Sequence, residues 1–171
     1  VGVVWPGDSI FPNYFHPKMK KFWVEEATRF VEETGFDGIW NDMNEPVSFK
    51  GELPTDLVFD IPGRKLEHLE CHNVYAEHMV APLAKVFRNK NQRPYLFTRS
   101  GFATTSKYAF TWNGDNYSLW HHLRYSIPQI ATLGLSNFMF NGVDLGGCGG
   151  VCNKQLLIRW AQGNMLIPFF R

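Results

Sequence analysis

The order of the predicted elements constrains this chain most, because short apolar segments alternate with amphipathic ones. Residues 17–34 repeat apolar side chains at helical spacing and predict a helix that ends at Gly35. Residues 36–40 then predict a short buried strand. Strands that alternate with helices in this way predict a parallel α/β sheet.

The alternation continues to the last residue, and each predicted strand is followed by a polar or glycine-rich cluster. Active sites of (β/α)8 TIM barrels are built from the C-terminal ends of strands. A complete barrel has eight strands and about 200–250 residues, whereas this chain has 171 residues and about five predicted strands. We therefore predict a partial TIM barrel, about the β4 to β8 portion, with a doubly wound sheet as the alternative. The further predicted strands are residues 93–98, 108–112, 138–143 and 165–170, and the further helices 73–89, 118–133 and 154–163.

Residues 1–171 are interpreted as one partial catalytic barrel with a loop excursion at about 47–70. Pro54, Pro62 and Gly63 mark that excursion, since proline and glycine interrupt regular elements. The chain begins at Val1 rather than at Met, so we expect the remainder of a longer parent chain around it.

Composition excludes several classes of function. The formal net charge is +1, and no block of like charges occurs, so we expect no nucleic-acid partner. No apolar run approaches the ~20 residues of a membrane span, so we expect no membrane partner. Three cysteines do not suggest a disulfide framework. Cys148 and Cys152 lack a matching pair of ligands at zinc-like spacing, so we predict no metal and no cofactor.

Acidic side chains follow three of the predicted strands. Asp42 and Glu45 follow the first strand, and Asp115 and Asp144 follow two later ones. Glycoside hydrolysis needs two carboxyl groups beside the scissile bond, one ionised and one that carries a proton for the leaving oxygen. Strand ends that converge on a barrel axis can supply such a pair. The alternative is structural, since Asp at a strand end often caps the next helix or makes an Asx turn.

Several short motifs together resemble family 31 of the glycoside hydrolases. Residues 40–46, WNDMNEP, are similar to its nucleophile motif W-x-D-M-N-E-P, and residues 112–116, WNGDN, are similar to its acid/base motif W-x-G-D-N. The resemblance covers nearly the whole chain outside 50–70, and many motifs in the correct order make it specific. The other matching segments are VWPG at 4–7, HNVY at 72–75, TRS at 98–100, VDLGG at 143–147, RW at 159–160 and PFFR at 168–171.

The resemblance implies roles for individual residues. Asp42 would be the nucleophile that forms a covalent glycosyl-enzyme, and Asp115 would protonate the leaving oxygen and then activate water. Arg99 would bind a sugar hydroxyl close to the acid/base, and Asp144 would lie beside the pocket. Glu45 would hydrogen-bond within the nucleophile loop or be structural, and His72 is expected to be structural. Trp40, Met43 and Trp112 would form walls of the glucose pocket.

The chain departs from the family pattern in places that affect its specificity. Cys148 stands where the family usually has a pocket-lining Phe, and Asn13-Tyr14 replaces Asp-Phe. The family's sugar-binding His follows PFFR by two residues, and another sugar-binding Asp belongs to earlier strands, so neither falls within these residues. The resemblance implies a retaining hydrolase of terminal α-linked glucose in oligosaccharides, with the 171 residues inactive by themselves. An α-xylosidase, transglucosidase or α-glucan lyase, and an inert sugar-binding fragment, are the alternatives.

Overall fold

The computed structural model describes all residues from 1 to 171, which form two compact units, 1–109 and 110–171. Outside the antiparallel pairs at 1–9 and 47–67, helices and short strands follow one another along the chain, as predicted. None of the helices combines the length and the apolar character needed to cross a membrane.

The first unit contains eight strands and four α-helices. The helix α1 begins at a proline, which suits the first helical turn, and ends at Gly35, whose φ of 71° is the left-handed conformation that closes many helices. The elements in order are β1 (Gly2–Val4), β2 (Gly7–Ser9), α1 (Pro17–Thr34), β3 (Gly38–Asn41), β4 (Val47–Ser48), β5 (Gly51–Glu52), β6 (Val58–Ile61), β7 (Arg64–Glu67), α2 (His68–Cys71), α3 (Tyr75–Val80), α4 (Ala84–Arg88) and β8 (Tyr95–Thr98).

Strands β3 and β8 form the parallel pair on which the first unit is built. Ile39 pairs with Leu96, and Trp40 pairs with Phe97. Because side chains alternate across a strand, Ile39 and Leu96 pack with α1 and α4 in one hydrophobic core. The ring of Trp40 instead stacks on that of Phe97, with centroids 5.8 Å apart.

The prediction of one continuous helix over 73–89 is wrong. The chain forms α3 and α4 separated by a 3-10 turn at Ala81–Leu83. Pro82 lies in that turn and explains the break, since proline has no N–H to donate and its ring crowds the preceding helical turn.

The predicted excursion at 47–70 contains two antiparallel pairs, β4 with β5 and β6 with β7. Pro62 and Gly63 link β6 to β7, and Gly63 has a φ of 79°, as expected for a proline–glycine turn. Phe59 of β6 is buried in a second core with Tyr14 and Tyr75, so this segment packs on the unit. His72 Nδ1 lies 3.1 Å from His68 Nε2.

The second unit is a smaller set of parallel strands and helices. Strand β10 lies between β9 and β11 and is parallel to both. Val143, Leu156 and Trp160 form its core with Ile130. The elements are β9 (Phe110–Trp112), α5 (Trp120–Leu135), β10 (Asn141–Val143), α6 (Lys154–Asn164) and β11 (Phe169–Phe170).

Candidate active site

Asp42 lies directly after β3, in a turn that is fixed to the end of β8. The side-chain amide of Asn44 donates to the hydroxyl of Thr98 at 2.8 Å, and the Ser100 N–H donates to Asn44 Oδ1 at 3.1 Å. The Arg99 N–H donates to the Asn41 carbonyl at 3.0 Å. Asn44 is only 2 % exposed, so these bonds are shielded from water and hold the two strand ends together.

Arg99 connects two carboxylates of this turn. Its Nε and Nη2 donate to the two carboxylate oxygens of Glu45 at 2.7 and 3.1 Å. Its Nη1 lies 3.2 Å from Asp42 Oδ1. A guanidinium suits this arrangement because its donors are fixed in a plane and can bind a carboxylate in bidentate fashion.

The role of Glu45 was left open by sequence reasoning, and the structure assigns it the bidentate contact with Arg99. The available signal was that NEP and TRS follow neighbouring parallel strands, whose C-terminal ends meet at one sheet edge. Sequence reasoning missed Asn44, the buried link between those two motifs.

A cavity of about 310 Å³ opens beside Asp42 in the first unit. Met43, which has a φ of 52°, lines it together with Asn44. Trp5 and Tyr75 contribute aromatic surface to the same cavity. Trp40 is 56 % exposed, and its ring stacks on that of Phe97.

Asp115 lies in the second unit, in the turn that follows β9. It is exposed, and it lines a cavity of about 280 Å³ with Asn113, Asn116 and Tyr125. The Asn116 side chain donates to the Asp144 carbonyl at 3.2 Å, and the Cys148 N–H donates to the Asn116 carbonyl at 2.8 Å. The turns after β9 and β10 are therefore joined by hydrogen bonds.

Asp144 follows β10 and is paired with Arg171 at 2.7 Å between Oδ1 and Nη2. The Arg171 guanidinium carbon lies 5.7 Å from the centre of the Trp112 ring, within the range of a cation–π contact. Trp112 is 3 % exposed. Arg171 thus covers the tryptophan and holds the carboxylate, a role that sequence reasoning did not predict.

Cys148 belongs to the same group of side chains. Its Sγ and one carboxylate oxygen each of Asp115 and Asp144 lie within 4.8 Å of one another. These are potential ligand atoms, but one carboxylate is already paired with Arg171. All three cysteines are free thiols, so Cys148 presents its thiol beside the proposed acid/base.

Comparison with known proteins identifies the family of the chain. Residues 1–171 match, over their whole length, the family model described as "Glycosyl hydrolases family 31 TIM-barrel domain". Alpha-glucosidase 2 of Bacillus thermoamyloliquefaciens is 41 % identical over 99 % of this chain and 22 % of its own length. Neutral alpha-glucosidase C of Homo sapiens is 38 % identical over 99 % of this chain and 19 % of its own length. The chain therefore spans about a fifth of the length of these relatives.

Solved structures give the same result for the fold. The glucosidase II alpha subunit in its DNJ-bound form superposes with a TM-score of 0.82 at 32 % identity, over 99 % of this chain and 19 % of that one. A family 31 alpha-glucosidase from Bacteroides thetaiotaomicron superposes with a TM-score of 0.80 at 35 % identity, over 98 % and 27 %. The predicted partial TIM barrel is confirmed, and the chain belongs to glycosyl hydrolase family 31, the alpha-glucosidase type.

Proposed function

We propose that the protein containing this chain is a retaining α-glucosidase, which releases terminal α-linked glucose from oligosaccharides. The observation that carries the proposal is the ion pair between Arg99 and Asp42. A nearby guanidinium favours the ionised carboxylate, which is the form that can attack an anomeric carbon. The names of the relatives support glucose as the sugar, since they are described as alpha-glucosidases.

In the proposed mechanism, Asp42 attacks the anomeric carbon while Asp115 gives its proton to the leaving glycosidic oxygen. The products of this step are a covalent glucosyl ester on Asp42 and the free aglycone. Asp115, now ionised, takes a proton from water, which hydrolyses the ester and regenerates both carboxyl groups. Two displacements at one carbon retain the anomeric configuration.

The remaining residues would bind and position the sugar. Arg99 would keep Asp42 ionised and correctly turned while Glu45 holds the far side of the guanidinium. Trp40 would supply a ring face, Met43 and Trp112 would shape the pocket, and Asp144 would lie beside the acid/base.

The roles of the two carboxyl groups are tested by Asp115→Ala and Asp42→Ala in the full-length protein. Asp42→Ala should abolish turnover of every α-glucoside. Asp115→Ala should lose maltose but still form the glucosyl ester from α-glucosyl fluoride, because a good leaving group needs little protonation. Azide should then restore turnover and give α-glucosyl azide.

Two results would overturn this assignment. One is equal loss on all substrates in Asp115→Ala without azide rescue, and the other is a product of inverted configuration. Product analysis also distinguishes the alternatives, because a transglucosidase releases longer oligosaccharides and an α-xylosidase prefers xylosides.

A further inference from the structure

A groove in the first unit that is lined by none of the proposed active-site residues carries an excess of positive charge. It lies between α1 and the α3–α4 segment and has a volume of about 820 Å³. That volume falls within the range of small-molecule sites, about 300–1,000 Å³. Its lining residues come from both helical segments and from Tyr108: Pro17, Lys20, Lys21, Val24, Glu25, Glu77, His78, Ala81, Pro82, Lys85 and Arg88.

The cations of this groove outnumber its acids. Lys20, Lys85 and Arg88 form none of the ion pairs found in the structure. The two acids have other partners: Glu25 lies 3.7 Å from the ammonium of Lys21, and Glu77 accepts a hydrogen bond from the hydroxyl of Thr104. Three cations therefore face the groove without a carboxylate counterion.

The pKa of Lys20 indicates that its positive charge is unfavourable in this groove. Burial lowers the pKa of Lys20, and the nearby ammonium of Lys85 lowers it further. The first turn of α1 contains no acidic residue, although negative charge is favoured at the positive end of a helix dipole. The fold thus maintains a repulsion that a bound anion would relieve.

The rest of the lining suits an organic anion. Burial lowers the pKa of His78, and Lys20 lowers it further while Glu77 raises it, so a neutral imidazole can hydrogen-bond a ligand near neutral pH. Tyr108, Val24 and Pro82 also line the groove, and Val24 and Pro82 provide apolar surface. A phosphate group carries up to two negative charges and several acceptor oxygens, which match clustered lysine and arginine donors.

We propose that this groove binds a small phosphate-bearing molecule, with Lys20, Lys85 and Arg88 around the phosphate. Such a site is separate from the proposed α-glucosidase activity and needs none of its residues. A single orthophosphate would fill a small part of the volume, so the ligand class is an organic phosphate or diphosphate.

The test uses inorganic pyrophosphate as the probe and the full-length protein, at constant ionic strength. Calorimetric titration should show saturable binding, and pyrophosphate should raise the Tm. The variant K20Q/K85Q should bind at least about tenfold more weakly because it loses two charge-assisted contacts. Without pyrophosphate its Tm should equal or exceed that of the native protein, since the repulsion is removed.

Lys50→Gln is the matched control, an exposed lysine of the same unit outside the groove, and it should bind pyrophosphate like the native protein. The single variant Lys85→Gln replaces an exposed side chain. If the double variant misfolds, this single variant should still bind pyrophosphate more weakly than the native protein. Non-saturable binding, or equal affinities for K20Q/K85Q and Lys50→Gln, would overturn the proposal.

Discussion

Replacing Arg99 with lysine separates charge from geometry at the turn that carries Asp42. The guanidinium makes three contacts, of 2.7 and 3.1 Å to Glu45 and 3.2 Å to Asp42. A lysine ammonium keeps the positive charge but is one nitrogen on a flexible chain. It cannot span both carboxylates in this geometry, so we expect it to pair with one and release the other.

The expected loss follows from the contacts and their exposure. A hydrogen bond between charged groups contributes about 1.5–3 kcal/mol when well shielded. The side chains of Arg99, Asp42 and Glu45 are 16, 29 and 31 % exposed, so the contacts are weakened by solvent. Losing two of them should cost about 2–3 kcal/mol of transition-state stabilisation, a fall of about 30- to 150-fold in kcat/KM.

The assay is steady-state hydrolysis of an aryl α-glucoside by the full-length protein, with Tm measured in parallel. Glu45→Gln is the matched control, because its amide oxygen can still accept from Arg99 and the contact to Asp42 is left in place. It should lose only about 3- to 10-fold, since the amide keeps one acceptor oxygen for Arg99 and replaces the other with an NH2 group that cannot accept. A loss in Arg99→Lys below about threefold, or one confined to KM, would refute the positioning role.

Two further predictions concern stability. A Cβ added at Gly142 would lie 2.0 Å from the Phe169 carbonyl oxygen, so Gly142→Ala should force β10 from β11 and lower the free energy of unfolding by about 2–4 kcal/mol. Gly134→Ala, where nothing lies within 4 Å, is the control for denaturant titration and should be neutral or stabilising; equal effects would show that the strands can adjust. Burial raises the pKa of both Tyr14 and Tyr75 far above the ordinary value. The folded state then keeps protons that the unfolded state releases near pH 10, so stability should be complete below about pH 10 and fall as the pH rises. Tyr14→Phe should flatten that alkaline fall in Tm and the exposed Tyr125→Phe should not; identical slopes would contradict the burial argument.

The order of helices and strands was predictable because the spacing of apolar residues indicates which face of each element is buried. Residues 17–34 gave the bounds of α1 correctly, since its proline start, apolar spacing and glycine end all agree. The strands were placed correctly but are shorter than predicted: β11 is only Phe169–Phe170 within the predicted 165–170. An apolar run indicates burial and cannot show which of its residues make ladder hydrogen bonds.

The motifs predict which residues belong to the candidate site, and they do not predict how those side chains contact one another. Asp42, Arg99, Asp115 and Asp144 were recognised from strand-end motifs, but the pairing of Arg171 with Asp144 depends on which strands lie side by side. Parallel neighbours β10 and β11 bring those two ends together. Strand order is a property of tertiary packing and is not encoded in the local pattern around either residue.

Residues 1–171 produced without any further chain should be poorly folded and inactive. Several large apolar side chains are exposed, including Trp5 at 81 %, Leu135 at 91 % and Leu166 at 90 %. Together with others such as Ile10, Leu69 and Met139 they expose several hundred Å² of apolar surface, and covering it would contribute about 10–20 kcal/mol at 25 cal/mol per Å². That is comparable with the whole stability of a domain, about 5–15 kcal/mol. We therefore expect these residues alone to bind ANS, to associate at micromolar concentration and to leave maltose intact. The matched comparison is the full-length protein, in which neighbouring chain segments would cover the same side chains and suppress ANS fluorescence. A monomer of residues 1–171 with a sharp cooperative melting transition and no ANS binding would show that the exposed side chains cost the fold far less than their area indicates.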